Sequence, residues 1–261
     1  MTKPDTPGFT PDKSSGEAPS DRLYATPRLT IAGFTFDQQV VSVFPDMIKR
    51  SVPGYETIIA MTGSLADRYV RPGTHCYDLG CSLGASLLAV AQATADRPRH
   101  LLGVDNSPAM ISRCRDILSG EKVEDIELLC ADILDVPIAN ASLVVLNFTL
   151  QFVPPEQREA LLARIWAGIN PGGILILSEK VAFDDAHHNE LMIELHHNFK
   201  RANGYSDLEI SQKRTALENV LLPETLNTHR ERLKKVGFNS VDVWFQCFNF
   251  ASMIAIKDAS G

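Results

Sequence analysis

Asp78-Leu79-Gly80-Cys81-Ser82-Leu83-Gly84 follows the strand-like run His75-Cys76-Tyr77 and leads into the apolar stretch Ala85–Ala93. A buried strand, a glycine loop and a helix in that order predict the first unit of a doubly wound α/β fold. Such sheets bind ligands at the carboxyl ends of their strands, where this loop lies. Gly80 permits a tight turn with close backbone approach, and Gly84 lets the helix pack near the strand. Any βα turn tolerates glycine, so the loop alone identifies little. Asp105 adds to it, because it ends the next strand, His100–Asp105, where a carboxylate takes both hydroxyls of a ribose. The plainer alternative for Asp105 is an aspartate at a helix N-terminus.

A dinucleotide cofactor fits poorly. Its pyrophosphate calls for G-x-G-x-x-G, and Ser82 stands where the second glycine belongs. An adenosine ligand without phosphates suits the loop better. Asp132-Ile133, just past the third strand, offers a carboxylate to the adenine amino group and an aliphatic cover for the ring, although Asp132 reads equally well as a solvated loop residue. Asn147, ending the fourth strand, carries amide groups for the ligand's amino-acid end, or is simply a strand-terminal turn residue.

Outward from this centre, strands alternate with helices. Ile126–Cys130, Leu143–Phe148 and Ile174–Leu177 read as strands, the last introduced by the turn Pro171-Gly172-Gly173. Ser107-Pro108 opens a helix with serine as cap and proline at the first position, and Pro155–Ile169 forms another. This alternation implies right-handed crossovers and a mostly parallel sheet. Ser240–Phe245 and Phe250–Lys257, separated by a short turn, close it as an antiparallel hairpin and make a seven-stranded sheet.

Two regions lie outside that core. From Ile31 to Tyr69 apolar residues recur at helical spacing, broken at Pro53-Gly54, which predicts a helical lid or collar. From 184 to 222 comes a polar helical insertion, with Ser206-x-x-Glu209 as a capping box. A further helix, Pro223–Lys235, stops before Gly237. Residues 1–28 are rich in Pro, Ser, Thr, Gly and Asp and predict a disordered tail, and deletion of Met1–Thr26 is expected to leave stability and turnover almost unchanged. Residues 29–261 then form a single domain.

A net charge of −7 favours a small-molecule substrate over phosphate-gripping contacts with nucleic acid. The five cysteines form no CxxC pair, and Cys76, Cys130 and Cys247 lie in or beside apolar runs, where cysteine acts as a small hydrophobe. His187, His188, His196 and His197 make no HExxH, so no metal is expected. No leader-like segment and no apolar stretch of ~18 residues is present, which predicts a soluble, cytoplasmic protein.

The wider pattern resembles the carboxy-S-adenosyl-L-methionine synthase family. The resemblance rests on the Asp78–Gly84 loop, Asp105-Asn106-Ser107-Pro108-Ala109-Met110, Leu146–Phe152, Phe199–Tyr205 and Ser211-Gln212-Lys213-Arg214. Phe44–Ile48, Ser51–Tyr55 and Trp244–Phe250 match as well, so it spans about residue 32 to 257. It implies a class I methyltransferase-like, Rossmann-like fold that does not methylate. The implied reaction converts S-adenosyl-L-methionine, as co-substrate, and prephenate into carboxy-S-adenosyl-L-methionine and phenylpyruvate. A separate enzyme then uses the product on wobble uridine of tRNA. A homodimer is implied too, and the acidity and hydropathy above lead us to expect no direct nucleic-acid or membrane contact.

Carried over residue by residue, the ligand contacts fall on Tyr55, Gly80, Cys81, Ser82, Asp105, Asn106, Asp132, Ile133, Asn147 and Arg214. Arg214 is the residue implied to grip the transferred carboxylate, with a rigid fork of donors that lysine lacks. Lys200, Arg201 and Lys213 make the same insertion locally basic, which suits a dicarboxylate. Two other readings stay open. One is an ordinary S-adenosylmethionine-dependent methyltransferase acting on a small molecule. The other is a non-catalytic S-adenosylmethionine-binding partner of a tRNA-modifying enzyme.

Overall fold

In the computed structural model the described residues are 19–28, 30–121, 123 and 125–259. The sheet is built from β1 (Thr74–Leu79), β2 (Arg99–Asp105), β3 (Ile126–Cys130), β4 (Ala141–Asn147), β5 (Ile169–Ala182), β6 (Glu224–Thr225), β7 (Ser240–Cys247) and β8 (Phe250–Ile256). Its order is β3-β2-β1-β4-β5-β8-β7, with β6 pairing the far end of β5. Pairing is parallel from β3 to β5 and antiparallel across β5, β8 and β7. The strand order reverses between β1 and β4. The loops that leave those two strands therefore open the crevice where doubly wound sheets hold ligands.

Both faces of the sheet's centre are covered, which is why β1, β2 and β4 are buried at most positions. Cys76, Leu101, Leu143, Val145 and Ile174 pack on one face against α2 (Tyr55–Tyr69) and α3 (Ala85–Ala93). Beside them, α4 (Pro108–Gly120) contributes Ile111, Cys114 and Leu118. Tyr77, Leu79, Val104, Val144, Leu146 and Leu177 fill the other face with α5 (Pro155–Gly168) and α8 (Leu226–Val236). A third cluster stands apart from the sheet. It joins Phe34 with Val40, Phe44 and Met47 of α1 (Gln38–Ser51), Met110 of α4 and Ala216 of α7 (Asp207–Leu217).

Local rules fix the helix starts. Asp37 caps α1 by accepting from the backbone of Gln39 and Val40, and Lys49 and Arg50 complement its last turn. Ser107 caps α4 ahead of Pro108, and the Ser206–Glu209 capping box opens α7 as expected. A cap on α6 (Ala186–Ala202) comes from Asp185.

Several expectations are corrected. Within residues 31–69 only α1 stands off the sheet. Ile58 and Ala66 of α2 are fully buried, and α2 is a layer of the core. β5 runs well beyond Ile174–Leu177 at both ends, and Pro171-Gly172-Gly173 forms an irregularity inside it, where pairing with β4 jumps from Ile169 to Ile174. The helix expected from Pro223 starts instead at Leu226 under a Thr225 cap, because Glu224-Thr225 pairs with Val181-Ala182 as an eighth strand. Cys130, on the edge strand, is exposed.

The N-terminal tail also needs revision. Residues 1–18 lie outside the described residues, but 19–28 pack. Asp21 is only 1% exposed and accepts a hydrogen bond from the Tyr205 hydroxyl at 2.5 Å. The Gln212 side chain donates to the carbonyls of Tyr24 and Thr26 and accepts from the Arg28 amide. Composition alone had no means of registering these partners, which lie nearly two hundred residues away in sequence.

Candidate functional site

Above the carboxyl ends of β1 to β5 lies a cavity of about 400 Å³. The sheet's loops form its floor, and α1, α6 and α7 supply its far wall and roof. Nine of the ten residues expected to touch ligand line it: Tyr55, Gly80, Cys81, Ser82 and Asp105, with Asn106, Asp132, Ile133 and Asn147.

Gly80 has a φ of +86°, and a Cβ there would run into the Thr149 side chain. Only glycine fits that turn without strain. Ser82 carries the left-handed conformation that a second glycine would otherwise take, and its amide donates to Asp105 Oδ2 at 3.0 Å. The Ser107 amide donates to Asp105 Oδ1 at 2.9 Å. The loop after β1 and the carboxylate after β2 are thus locked together, with unused lone pairs left on Asp105 for hydroxyl donors. Burial raises the Asp105 carboxyl above its ordinary value against the pull of those two amides.

Asp132 holds its turn by accepting from the Leu134 amide at 2.9 Å, while Ile133 beside it is buried. The Asn147 amide is oriented from both sides. It accepts from Ser178 Oγ at 2.6 Å and donates to Ser86 Oγ at 3.0 Å, which leaves one N–H for the cavity. Cys81 is no nucleophile. Its hydrogen bond with Cys114, then burial, pushes its thiol upward, and a protonated buried thiol is inert.

Arg214 is the residue the structure does not bring to the wall. It is exposed, whereas its neighbour Lys213 is buried and lines the cavity. Successive helical positions point about 100° apart, so only one of the two can face inward. With Glu209, Ile210, Gln212 and Ala216 on the packed side of α7, that one is Lys213. Arg214 remains close enough to act on Lys180, whose ammonium is disfavoured first by burial and then by that guanidinium.

The cavity also contains Asp78 and Lys180, which sequence reasoning missed, beside Lys200 and Lys213, which it noted as a locally basic insertion. Asp78 is 3% exposed, and neither of its carboxylate oxygens has a hydrogen-bond partner among the described residues. Burial, reinforced by Asp105, raises its pKa to about 7. The sequence held a signal, since a carboxylate inside an otherwise buried strand demands a partner. Lys180, His196, Lys200 and Lys213 line the opposite region. His196 Nε2 donates to the Ser51 carbonyl at 2.8 Å, and burial with the nearby lysines holds the ring neutral, near 2. Its ring packs edge-on against Phe250, with centroids 4.8 Å apart. Phe148, at a φ of +60°, stands between Tyr55 and Phe250 and completes an aromatic wall. Among the described residues no group of three His, Cys, Asp or Glu side chains is placed to hold a metal ion, and no helix is long and apolar enough to cross a membrane.

A family model described as a methyltransferase domain matches residues 77–173, which run from within β1 into β5. Among solved structures, an O-methyltransferase family protein from Burkholderia thailandensis superposes with a TM-score of 0.62. Its identity is 16%, over 87% of this chain and 62% of that one, which establishes a shared fold. Similarity to curated proteins is much higher. The carboxy-S-adenosyl-L-methionine synthase of Trichlorobacter lovleyi is 61% identical over 240 residues, covering 91% of this chain and 98% of that protein. The protein of the same name from Aliivibrio fischeri is 56% identical over 238 residues, again covering 91% and 98%. With a doubly wound sheet, an adenosine-type loop at its switch point and relatives of this identity along nearly their whole length, the chain belongs to the carboxy-S-adenosyl-L-methionine synthase family.

Proposed function

We propose that the chain binds S-adenosyl-L-methionine as co-substrate and, with prephenate, makes carboxy-S-adenosyl-L-methionine and phenylpyruvate. The observation that carries this reading is the division of one roofed cavity into two poles. Asp78, Asp105 and Asp132 stand at the ends of β1, β2 and β3, and Lys180, Lys200 and Lys213 stand at the end of β5 and on α6 and α7. The acidic pole suits ribose hydroxyls and a cationic sulfonium amino acid. The basic pole suits a substrate with two carboxylates.

In the reaction, prephenate loses carbon dioxide and hydroxide as its ring becomes aromatic. The hydroxide takes a proton from the sulfonium methyl group and becomes water. The ylide carbon so formed attacks carbon dioxide, and a carboxymethyl sulfonium results. Water would quench the ylide, so the pocket must close. Phe34, Phe36 and Phe44 on the roof side, with Phe148, Phe152 and Phe250 below, provide the apolar lining for this. No protein base is needed, and neutral His196 is already committed to the Ser51 carbonyl.

Arg214, beside the basic pole, is assigned to the transferred carboxylate. The enzyme works as a homodimer in the cytoplasm, and its product passes to a separate enzyme acting on tRNA wobble uridine. The test is mass spectrometry of the ligand retained after incubation with S-adenosyl-L-methionine and prephenate. Wild type is expected to hold an adduct heavier by one carboxyl group. Arg214→Lys keeps the charge and loses the fork, so it is expected to hold mostly unmodified co-substrate. Release of S-adenosylhomocysteine with methylation of an added acceptor would overturn the assignment. Equal carboxylation by the variant would remove Arg214 from its role.

A further inference from the structure

The basic pole is an unusual thing to bury. Lys200 and Lys213 are 8% and 5% exposed, Lys180 is half-buried, and all three line the same cavity. Only Lys213 has a counter-charge: its Nζ lies 3.4 Å from Asp21 Oδ2 and 3.2 Å from Ser51 Oγ. Among the described residues, Nζ of Lys180 and Nζ of Lys200 have neither a carboxylate within salt-bridge distance nor a hydrogen-bond partner. Neither Nζ is sealed off from the cavity, so each lysine presents a nitrogen without a protein acceptor to the space that an anionic ligand would enter.

The surroundings say what that ligand is like. Lys180 lies directly opposite Phe250 in the β5–β8 register, so the two side chains share a face of the sheet. Phe250 in turn contacts Phe148, which leans on Tyr55. Two unpaired cations beside a three-ring wall describe a receptor for an apolar ring that carries two anionic groups. Lys213 is already matched by Asp21, and His196 donates to a backbone carbonyl, so neither competes for the role.

We propose that Lys180 and Lys200 are the substrate-binding pair that seats the two carboxylates of the second substrate, with Tyr55, Phe148 and Phe250 against its ring. This deepens the reading above and rests on it for the substrate class. It assigns the two carboxylates of the second substrate to residues of β5 and α6, and its ring to the aromatic wall that borders the loops taking the co-substrate. Lys200 also provides a sensitive readout. Burial, then Lys213 and Lys180, lower it to about 7, with Asp21 the one nearby acid that opposes the shift. At pH 8 the free protein therefore holds Lys200 largely neutral, and an incoming carboxylate must draw a proton onto it.

The experiment is calorimetric titration of prephenate into protein saturated with S-adenosylhomocysteine, in buffers of different ionisation enthalpy at pH 8. Wild type, Lys180→Met and Lys200→Met are compared, methionine keeping most of each stem. Each variant is expected to bind prephenate about 10- to 100-fold more weakly, the range of a lost charge-assisted hydrogen bond. Affinity for S-adenosylhomocysteine should stay within about 3-fold. Proton uptake on prephenate binding should be present in wild type and absent in Lys200→Met. Ligand-free Lys200→Met should also melt higher than wild type at pH 8, because folding no longer strips Lys200 of the proton that the unfolded chain keeps.

Unchanged prephenate affinity in both variants would overturn the proposal. So would an equal loss of S-adenosylhomocysteine affinity, which would place the lysines on the co-substrate's own carboxylate. Phenylsuccinate, another ring-bearing dicarboxylate, separates this inference from the reading beneath it. If wild type ignores prephenate but binds phenylsuccinate in a lysine-dependent way, the seat stands and the substrate identity falls. If wild type binds neither, the seat itself is wrong.

Discussion

Replacing Asp78 by asparagine isolates the effect of one buried, unpartnered carboxylate. In the ligand-free protein its pKa rises from an ordinary 3.8 to about 7, through burial and the neighbouring Asp105. Between those values the folded chain keeps a proton that the unfolded chain has lost. Stability therefore falls as pH rises through this window, and the loss is complete above it. At about 1.36 kcal/mol per pKa unit, the full penalty is roughly 4 kcal/mol, of which roughly 3 kcal/mol accrues between pH 4.5 and pH 8. Asp78→Asn removes the titration while leaving a polar amide of similar size. Urea unfolding of both proteins at the two pH values gives four free energies, and their double difference is the measurement. Wild type should lose about 3 kcal/mol more than the variant on going to pH 8. Under the proposed function the same unpartnered carboxylate would face the cationic end of the co-substrate. Asp78→Asn should accordingly weaken S-adenosyl-L-methionine binding by about 10- to 100-fold, although the variant is the more stable protein at pH 8. Identical pH slopes for the two proteins would refute the reasoning, because Asp78 would then be neutralised by something other than a proton or a ligand.

Asp105→Ala should weaken S-adenosyl-L-methionine binding by ~1.5–3 kcal/mol in calorimetry, since it removes the charged acceptor and frees the Ser82 amide. Deleting residues 1–18 should leave the melting temperature unchanged. Deleting residues 1–26 should destabilise the protein by about 3 kcal/mol, because Lys213 loses Asp21; Asp21→Asn in the full chain should reproduce most of that loss. Arg158 is fully buried and donates to Glu224 and to the carbonyls of Gln151, Val153 and Leu222. Arg158→Met should cost about 3–5 kcal/mol in denaturant titration, and a smaller loss would mean that the carbonyls find water.

The parts legible in sequence were those whose signal is local. β1, β2 and β4 are buried at most positions because helices cover both their faces, and each offers its candidate ligand residues at or just past its carboxyl end. Gly80, Asp105 and Asn147 can be found by asking what stands at the end of a strand. The basic pole was legible only in part, as the locally basic insertion that holds Lys200 and Lys213. Lys180 lies three residues past the point where apolarity ends β5 to the eye, yet register carries the strand through it to Ala182. Lys213 and Asp21 meet only because α7 folds over α1 and the N-terminal segment crosses both, a pairing that no periodicity encodes. Arg214 and Lys213 differ by one step of helical phase, and a basic run read as letters does not say which points inward. α2 and α1 have similar apolar spacing, so the division between core layer and lid emerges only when the sheet is present.

The position of β8 has a consequence for how the chain is made. β5 ends at Ala182, but its antiparallel neighbour β8 begins only at Phe250, and β8 then lies between β5 and β7 in the finished sheet. During synthesis β1 to β5 can associate as they emerge, leaving the outer side of β5 as a long apolar edge until the final hairpin arrives. Val181 and Ala182 receive brief cover from Glu224-Thr225, but the stretch from Ile174 to Lys180 waits for residues 250–256. A nascent chain stalled between α7 and β8 would thus present a ready template for strand addition by another copy, and chaperones that recognise unpaired strands would find their substrate there.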